Sequence, residues 1–120
     1  MSVRAIRGAI TVDENTKEQI INKTKQLLVE IIQSNDVSNS DMVSIFFTVT
    51  NDITAAFPPV AARELGLANV PLMTAVEMEV PGSLPKCIRV MLHLNSDKSL
   101  DEIKHVYLGN AKKLRPDLAE

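Results

Sequence analysis

Residues 3–10 alternate between apolar and polar or small side chains, and a period of two predicts a strand. Its odd positions put Arg7 among Val3, Ala5 and Ala9, a cation on a face of small apolar groups. Asp13-Glu14-Asn15 breaks the alternation. Thr16-Lys17-Glu18-Gln19 then reads as a capping box, with Gln19 three residues beyond the Thr16 hydroxyl. From there to about Asn35, Ile20, Thr24, Leu27, Leu28, Ile31 and Ile32 recur at helical spacing, which predicts one long amphipathic helix.

Residues 35–41 are polar and Ser-rich, a connection into 42–50, whose β-branched and aromatic run predicts a largely buried strand. Residues 57–66 read as a short helix, with Pro58 and Pro59 where the first turn tolerates them and Gly66 as a left-handed stop. Residues 71–80 predict a further strand, with Thr74 and Val76 on one face and Met73, Ala75 and Glu77 on the other. Pro81-Gly82-Ser83 makes a turn. In the next strand, 86–94, Ile88, Val90, Leu92 and Leu94 form an aliphatic face, and Cys87, Arg89, Met91 and His93 the opposite one. Ser99-Leu100-Asp101-Glu102 is a second capping box, and 105–108 a late strand.

This order predicts a single α+β domain over 1–120: a mixed five-stranded sheet with one long and one short helix. One long helix covers only part of such a sheet, so the face bearing Arg7 or Arg89 calls for a neighbouring subunit.

Arg89 makes that face chemically unusual, since it stands between the sulfur side chains of Cys87 and Met91. An ion left there without a counter-charge costs several kcal/mol, so it meets either a carboxylate of the protein or an anion from outside. Composition narrows the anion. Thirteen basic residues against fifteen acidic ones, without a basic run, argue against nucleic acid, and one Tyr, three Phe and no Trp argue against base stacking. No apolar run approaches the ~20 residues of a membrane span, and the start of the chain has no leader-like apolar stretch. A single cysteine forms no internal disulfide and fits a reducing cytosol, so the expectation is a soluble cytoplasmic protein.

Several chemistries fall away on spacing. Cys87 and His93 share parity on one strand roughly 20 Å apart and cannot form a nucleophile–base pair. The two histidines show no metal-ligand spacing, and Gly8, Gly66, Gly82 and Gly109 form no phosphate loop. What remains is cations on ordered elements: Arg7, Arg89, Arg63 on the short helix and Arg115 in the tail. Fixed guanidiniums suit a small ligand with two carboxylates, each gripped by a bidentate fork. Glu77 is either the acceptor for a ligand hydroxyl or the ion-pair partner of one of these arginines. Tyr107 either donates to a carboxylate or simply packs.

Four blocks, in order and with compatible spacing, resemble the monofunctional AroH-class chorismate mutases. They are Arg4-Ala5-Ile6-Arg7-Gly8-Ala9 with Thr11-Val12; Ala56-Phe57-Pro58 with Ala62-Arg63; Lys86-Cys87-Ile88-Arg89-Val90; and His105-Val106-Tyr107-Leu108 with Leu114-Arg115-Pro116-Asp117-Leu118. The resemblance implies a homotrimeric pseudo-α/β barrel with active sites between subunits, and the Claisen rearrangement of chorismate to prephenate in phenylalanine and tyrosine biosynthesis. It implies no cofactor, no metal and no covalent or acid–base step. By resemblance Arg89 donates to the ether oxygen and a carboxylate, Arg7 grips the second carboxylate, Glu77 takes the ring hydroxyl and Tyr107 adds a carboxylate contact. Phe57 is an apolar wall, Arg63 and Arg115 close the entrance, and Leu114 is among the substrate-binding residues. The strand of Met73, Thr74, Ala75, Val76 and Glu77 lines the pocket from the subunit opposite Arg7. Thr74 stands where well-known members have a cysteine, and Val60 where a lysine can approach the substrate. The alternative from another class is a non-catalytic trimeric module that binds carboxylates.

Overall fold

The computed structural model describes residues 1–114. The Thr16 hydroxyl accepts the Gln19 amide at 3.2 Å, and helix α1 (Lys17–Ser34) follows. Only half of the expected capping box forms. The Thr16 amide is committed to the Glu14 carbonyl, so the Gln19 side chain instead accepts the amides of Asp13 and Glu14, at 2.9 and 3.3 Å. Ser99 and Glu102 do form the complete box.

Five strands make one mixed sheet: β1 (Ser2–Thr11), β2 (Met42–Val49), β3 (Leu72–Val76), β4 (Cys87–Ser96) and β5 (Val106–Tyr107), in the spatial order β3-β2-β4-β1-β5. The antiparallel β1–β4 ladder is the spine, running from Ser2↔Ser96 to Thr11↔Cys87, and β2 joins β4 antiparallel. The edge strands β3 and β5 run parallel to β2 and β1. The short helix α2 (Pro59–Glu64) precedes β3. The expected mixed five-stranded sheet with one long and one short helix is what the chain forms. No helix among the described residues is long and apolar enough to cross a membrane.

Two strands are shorter than the alternation predicts. β3 ends at Val76, not at residue 80, because β2, its one neighbour among the described residues, ends at Val49; the Glu77 amide still reaches the Val49 carbonyl at 2.8 Å, and the chain then leaves the sheet. Val80-Pro81-Gly82-Ser83 closes as a turn with Gly82 at φ +83°, as its residues require. The late strand keeps only two residues beside β1.

Helix α1 covers one face. Ile6 and Ile10 from β1, Ile45 and Phe47 from β2, and Ile88, Val90 and Leu92 from β4 meet Ile20, Leu27, Leu28 and Ile31 in the main core. Thr24, fully buried in the same stripe, satisfies its hydroxyl on the Ile20 carbonyl at 2.6 Å. Buried Asn35 ends the helix by donating to the Ile31 and Lys104 carbonyls and accepting the Lys104 amide, tying α1 to the segment before β5. Ala61 and Ala62 let α2 approach closely, and Lys25 pairs with Glu64 across the two helices at 2.6 Å.

Gly8 is where α1 comes nearest the sheet. A Cβ there would lie 2.7 Å from Ile31 Cδ1, 3.1 Å from Leu27 Cδ1 and 3.2 Å from the Val106 carbonyl oxygen. Gly8→Ala is therefore expected to lower unfolding free energy in urea by about 1–3 kcal/mol through overpacking. An unchanged midpoint would show that the helix yields freely.

Candidate active site

Antiparallel register sets the site on the other face of the sheet. Ala75, Thr48, Arg89 and Ala9 are successive cross-strand neighbours, and Met73, Phe46, Met91 and Arg7 form the next row. Ala9 also pairs with Tyr107 on β5. Part of this face is closed by a second apolar cluster, Ala9, Cys87, Tyr107 and Ala111, flanked by Leu84 and Leu114. Beside it lies a cleft of about 350 Å³ lined by Arg7, Phe46, Thr48, Glu77, Arg89, Met91, Tyr107 and Leu114 and by Gly8, Ala9 and Val90.

Arg89 is incompletely satisfied within the chain. Its Nε is buried and has no hydrogen-bond partner, and the Glu77 Oε1 stands 3.8 Å from it, an ion-pair distance too long for a hydrogen bond. The Arg89 side chain as a whole remains 40 % exposed to the cleft. That same Oε1 accepts the Thr48 hydroxyl at 2.6 Å. Glu77 therefore balances the Arg89 charge without occupying its donor.

Cys87 lies behind Arg89, buried in the second cluster. Burial pushes its thiol pKa up, with the Arg89 guanidinium pulling the other way through its charge and a side-chain contact, so the thiol stays protonated at neutral pH. It is a packing residue rather than a nucleophile. His93 faces Ser44, with Oγ to Nδ1 at 3.4 Å, and meets the Phe46 ring edge-to-face at 5.7 Å between centroids. The Arg7 amide donates to His105 Nδ1 at 2.9 Å, which fixes the β1 backbone beside the cleft.

Of the residues picked out in the sequence, Arg7, Glu77, Arg89, Tyr107 and Leu114 line this one cleft. Glu77 thus stands on the same side as Arg7, in the same chain, and not opposite it. The reason is the early end of β3: past Val76 the chain turns in and returns the Glu77 carboxylate to Thr48. Met73 and Ala75 share the cleft's face of the sheet but lie outside its lining. Thr74 and Val76 pair with Phe47 and Val49, whose side chains belong to the helix-covered core, so parity turns both away from the cleft. Phe57, exposed just ahead of α2, and Arg63, exposed on α2, are likewise outside the lining. Arg115 lies outside the described residues. Thr48, Phe46 and Met91 were not among the expected site residues. Their alternation shows them sharing a face, but only cross-strand register brings Thr48 opposite Arg89.

Fold and cleft together define a class: an α+β protein whose open sheet face presents two arginines, one of them with a buried donor that has no hydrogen-bond partner, and one carboxylate to a cleft. This chain belongs to the chorismate mutase type I family, whose sequence model matches residues 3–118. It is 50% identical over 117 residues to chorismate mutase AroH of Thermus thermophilus, spanning 97% of this chain and 96% of that protein. Over 120 residues it is 48% identical to chorismate mutase AroH of Bacillus subtilis (strain 168), spanning 99% and 94% respectively. Among solved structures, a chorismate mutase from Clostridium thermocellum superposes with a TM-score of 0.90 at 52% identity, covering 92% of this chain and 98% of that one.

Proposed function

We propose that this chain is a chorismate mutase, rearranging chorismate to prephenate by selecting a compact conformer and stabilising charge on the breaking ether bond. The observation that carries this reading is Arg89, whose side chain lines an open cleft while its buried Nε has no hydrogen-bond partner. A pericyclic step breaks the C–O bond as the C–C bond forms and moves no proton, so nucleophiles and acid–base pairs have no part in it. What helps is a fixed donor where negative charge grows on the ether oxygen, in a site that excludes water.

In this reading Arg89 donates to the ether oxygen and a carboxylate, Arg7 holds the second carboxylate, and Glu77 accepts the ring hydroxyl. Tyr107 and Leu114 wall the cleft. No cofactor enters the scheme, because every demand is met by positioning and charge. The chain acts as one domain and assembles as a homotrimer. Supporting the assembly, Val3, Phe46, Met73 and Met91 are 56, 42, 60 and 37 % exposed on the face that α1 does not cover. Phe57, Arg63 and the β3 edge with Met73, Thr74, Ala75 and Val76 then belong to the far wall of a neighbour's cleft. β3 supports this role as an edge strand with only β2 beside it. Thr74 and Val76 contribute there through backbone, since their side chains turn the other way. A cytoplasmic setting, which keeps thiols reduced, agrees with the single free Cys87.

The test is loss of chorismate ultraviolet absorbance with purified protein, with the product converted by acid to phenylpyruvate. The expected result is turnover well above the solution rate, with kcat largely flat between about pH 6 and 9 because chemistry transfers no proton. Binding without turnover would leave a carboxylate-binding module.

A further inference from the structure

We infer that Thr48 is a positioning residue: its hydroxyl holds the Glu77 carboxylate off Arg89, keeping the Arg89 Nε–H free for the incoming ligand. This rests on the chorismate mutase reading only for the identity of that ligand. The geometry itself belongs to the empty cleft. Glu77 Oε1 has two donors near it, the Thr48 hydroxyl at 2.6 Å and Arg89 Nε at 3.8 Å. An ionised carboxylate only accepts, so the hydroxyl must be the donor in the shorter contact. The nearer contact is thus the neutral one, although a guanidinium normally wins a carboxylate with a short, two-pronged pair.

Local structure explains why Thr48 prevails. Thr48 lies directly across the β2–β4 ladder from Arg89, which places its side chain beside the guanidinium on the same face. One residue on, the Val49 carbonyl accepts the Glu77 amide at 2.8 Å and pins the backbone from which the carboxylate projects. Glu77 is therefore held by neighbouring residues of β2 at both its backbone and its carboxylate. A β-branched side chain in a strand has little rotameric freedom, so the direction of the hydroxyl is fixed as well.

Without that hydroxyl, Arg89 Nε at 3.8 Å is the cation that faces Oε1. A closure of about 1 Å turns the 3.8 Å ion pair into a direct one. This consumes the donor meant for the ether oxygen and turns Glu77 from the ring hydroxyl. Substrate must then break an internal ion pair before it binds.

Thr48→Val removes the hydroxyl while keeping the side-chain shape. KM for chorismate is expected to rise about tenfold, with a smaller fall in kcat, because the competing pair forms in the free enzyme. Thr48→Ser restores most of that loss. On a Glu77→Gln background the Thr48→Val change adds less than about threefold, since two residues acting as a unit do not add. In the ligand-free protein the ¹H–¹⁵N signal of Arg89 Nε–H shifts downfield in Thr48→Val and does not shift in the double variant. A wild-type KM in Thr48→Val, an equal loss in Thr48→Ser, or an unmoved Nε–H signal overturns the inference. If the unaltered protein does not turn over chorismate, the functional reading falls, and the Nε–H signal still decides the role of Thr48.

Discussion

Arg89→Ala is expected to lower kcat by about a thousandfold, in line with removal of one fixed donor at a site of developing charge. The loss appears in kcat more than in KM, because the contact to the ether oxygen strengthens only as the bond stretches. Arg89→Lys is expected to recover little. An ammonium is a point charge on a flexible stem and cannot serve the ether oxygen and a carboxylate from one planar fork. The stability of Arg89→Ala separates this role from a structural one. In the folded protein Arg89 Nε is buried without a hydrogen-bond partner, and its ion pair to Glu77 is long. Deleting it removes an unsatisfied donor, so the urea midpoint is expected to stay level or rise. Cys87, directly behind, keeps its burial against Ala9, Tyr107 and Ala111. A near-normal kcat in saturating chorismate, or a collapse of stability with the rate, would refute the assignment.

Arg89 was also the most legible residue in the chain. A guanidinium on a strand face otherwise made of apolar or sulfur side chains announces itself by parity alone, and Arg7 does so for the same reason. The aliphatic faces of β1 and β4, the stripe of α1 and the Thr16 cap are equally local, each settled by a handful of neighbouring residues. What alternation could not supply is where a strand loses its partner. Residues 77–80 continue the pattern of β3, yet β2 stops at Val49 and the pairing stops with it. That one non-local fact moves Glu77 into its own chain's cleft. It also hides Thr48, which looks like any strand threonine until the register sets it opposite Arg89. Asn35 was similarly read as part of a polar connection, and its burial follows from Lys104, 69 positions away. Glu77 and Tyr107 are candidates from residue type alone, each with an ordinary packing or ion-pair alternative, and the family resemblance favours the ligand role for both. It gave the residues without the geometry.

Phe46→Asp is expected to turn the assembly into folded monomers. Met73, Phe46 and Met91 are cross-strand neighbours, each partly exposed in the isolated chain, and Phe46 belongs to neither apolar cluster, its ring contact within the protomer being the edge-to-face one with His93, so the fold is expected to survive its loss. Burying such a phenylalanine against another subunit contributes about 2 kcal/mol, and a chain-closing trimer uses that contact at each of its interfaces. An aspartate in the same place loses that contribution and adds the several kcal/mol needed to dehydrate an unpaired carboxylate. Together these exceed what keeps a modest interface closed at micromolar concentration. Light scattering is expected to give the mass of the 13.2 kDa protomer, with unchanged far-ultraviolet circular dichroism, where the proposed homotrimer of the unaltered protein is expected to give three times that mass. Leu100→Asp is the control, since Leu100 is 74 % exposed on a 3₁₀ turn outside the sheet, and its trimer should persist. Mass is the deciding readout, because Phe46 also lines the cleft and its activity would fall on either account. A trimer that survives Phe46→Asp would mean that the open face of the sheet meets something other than its own copies.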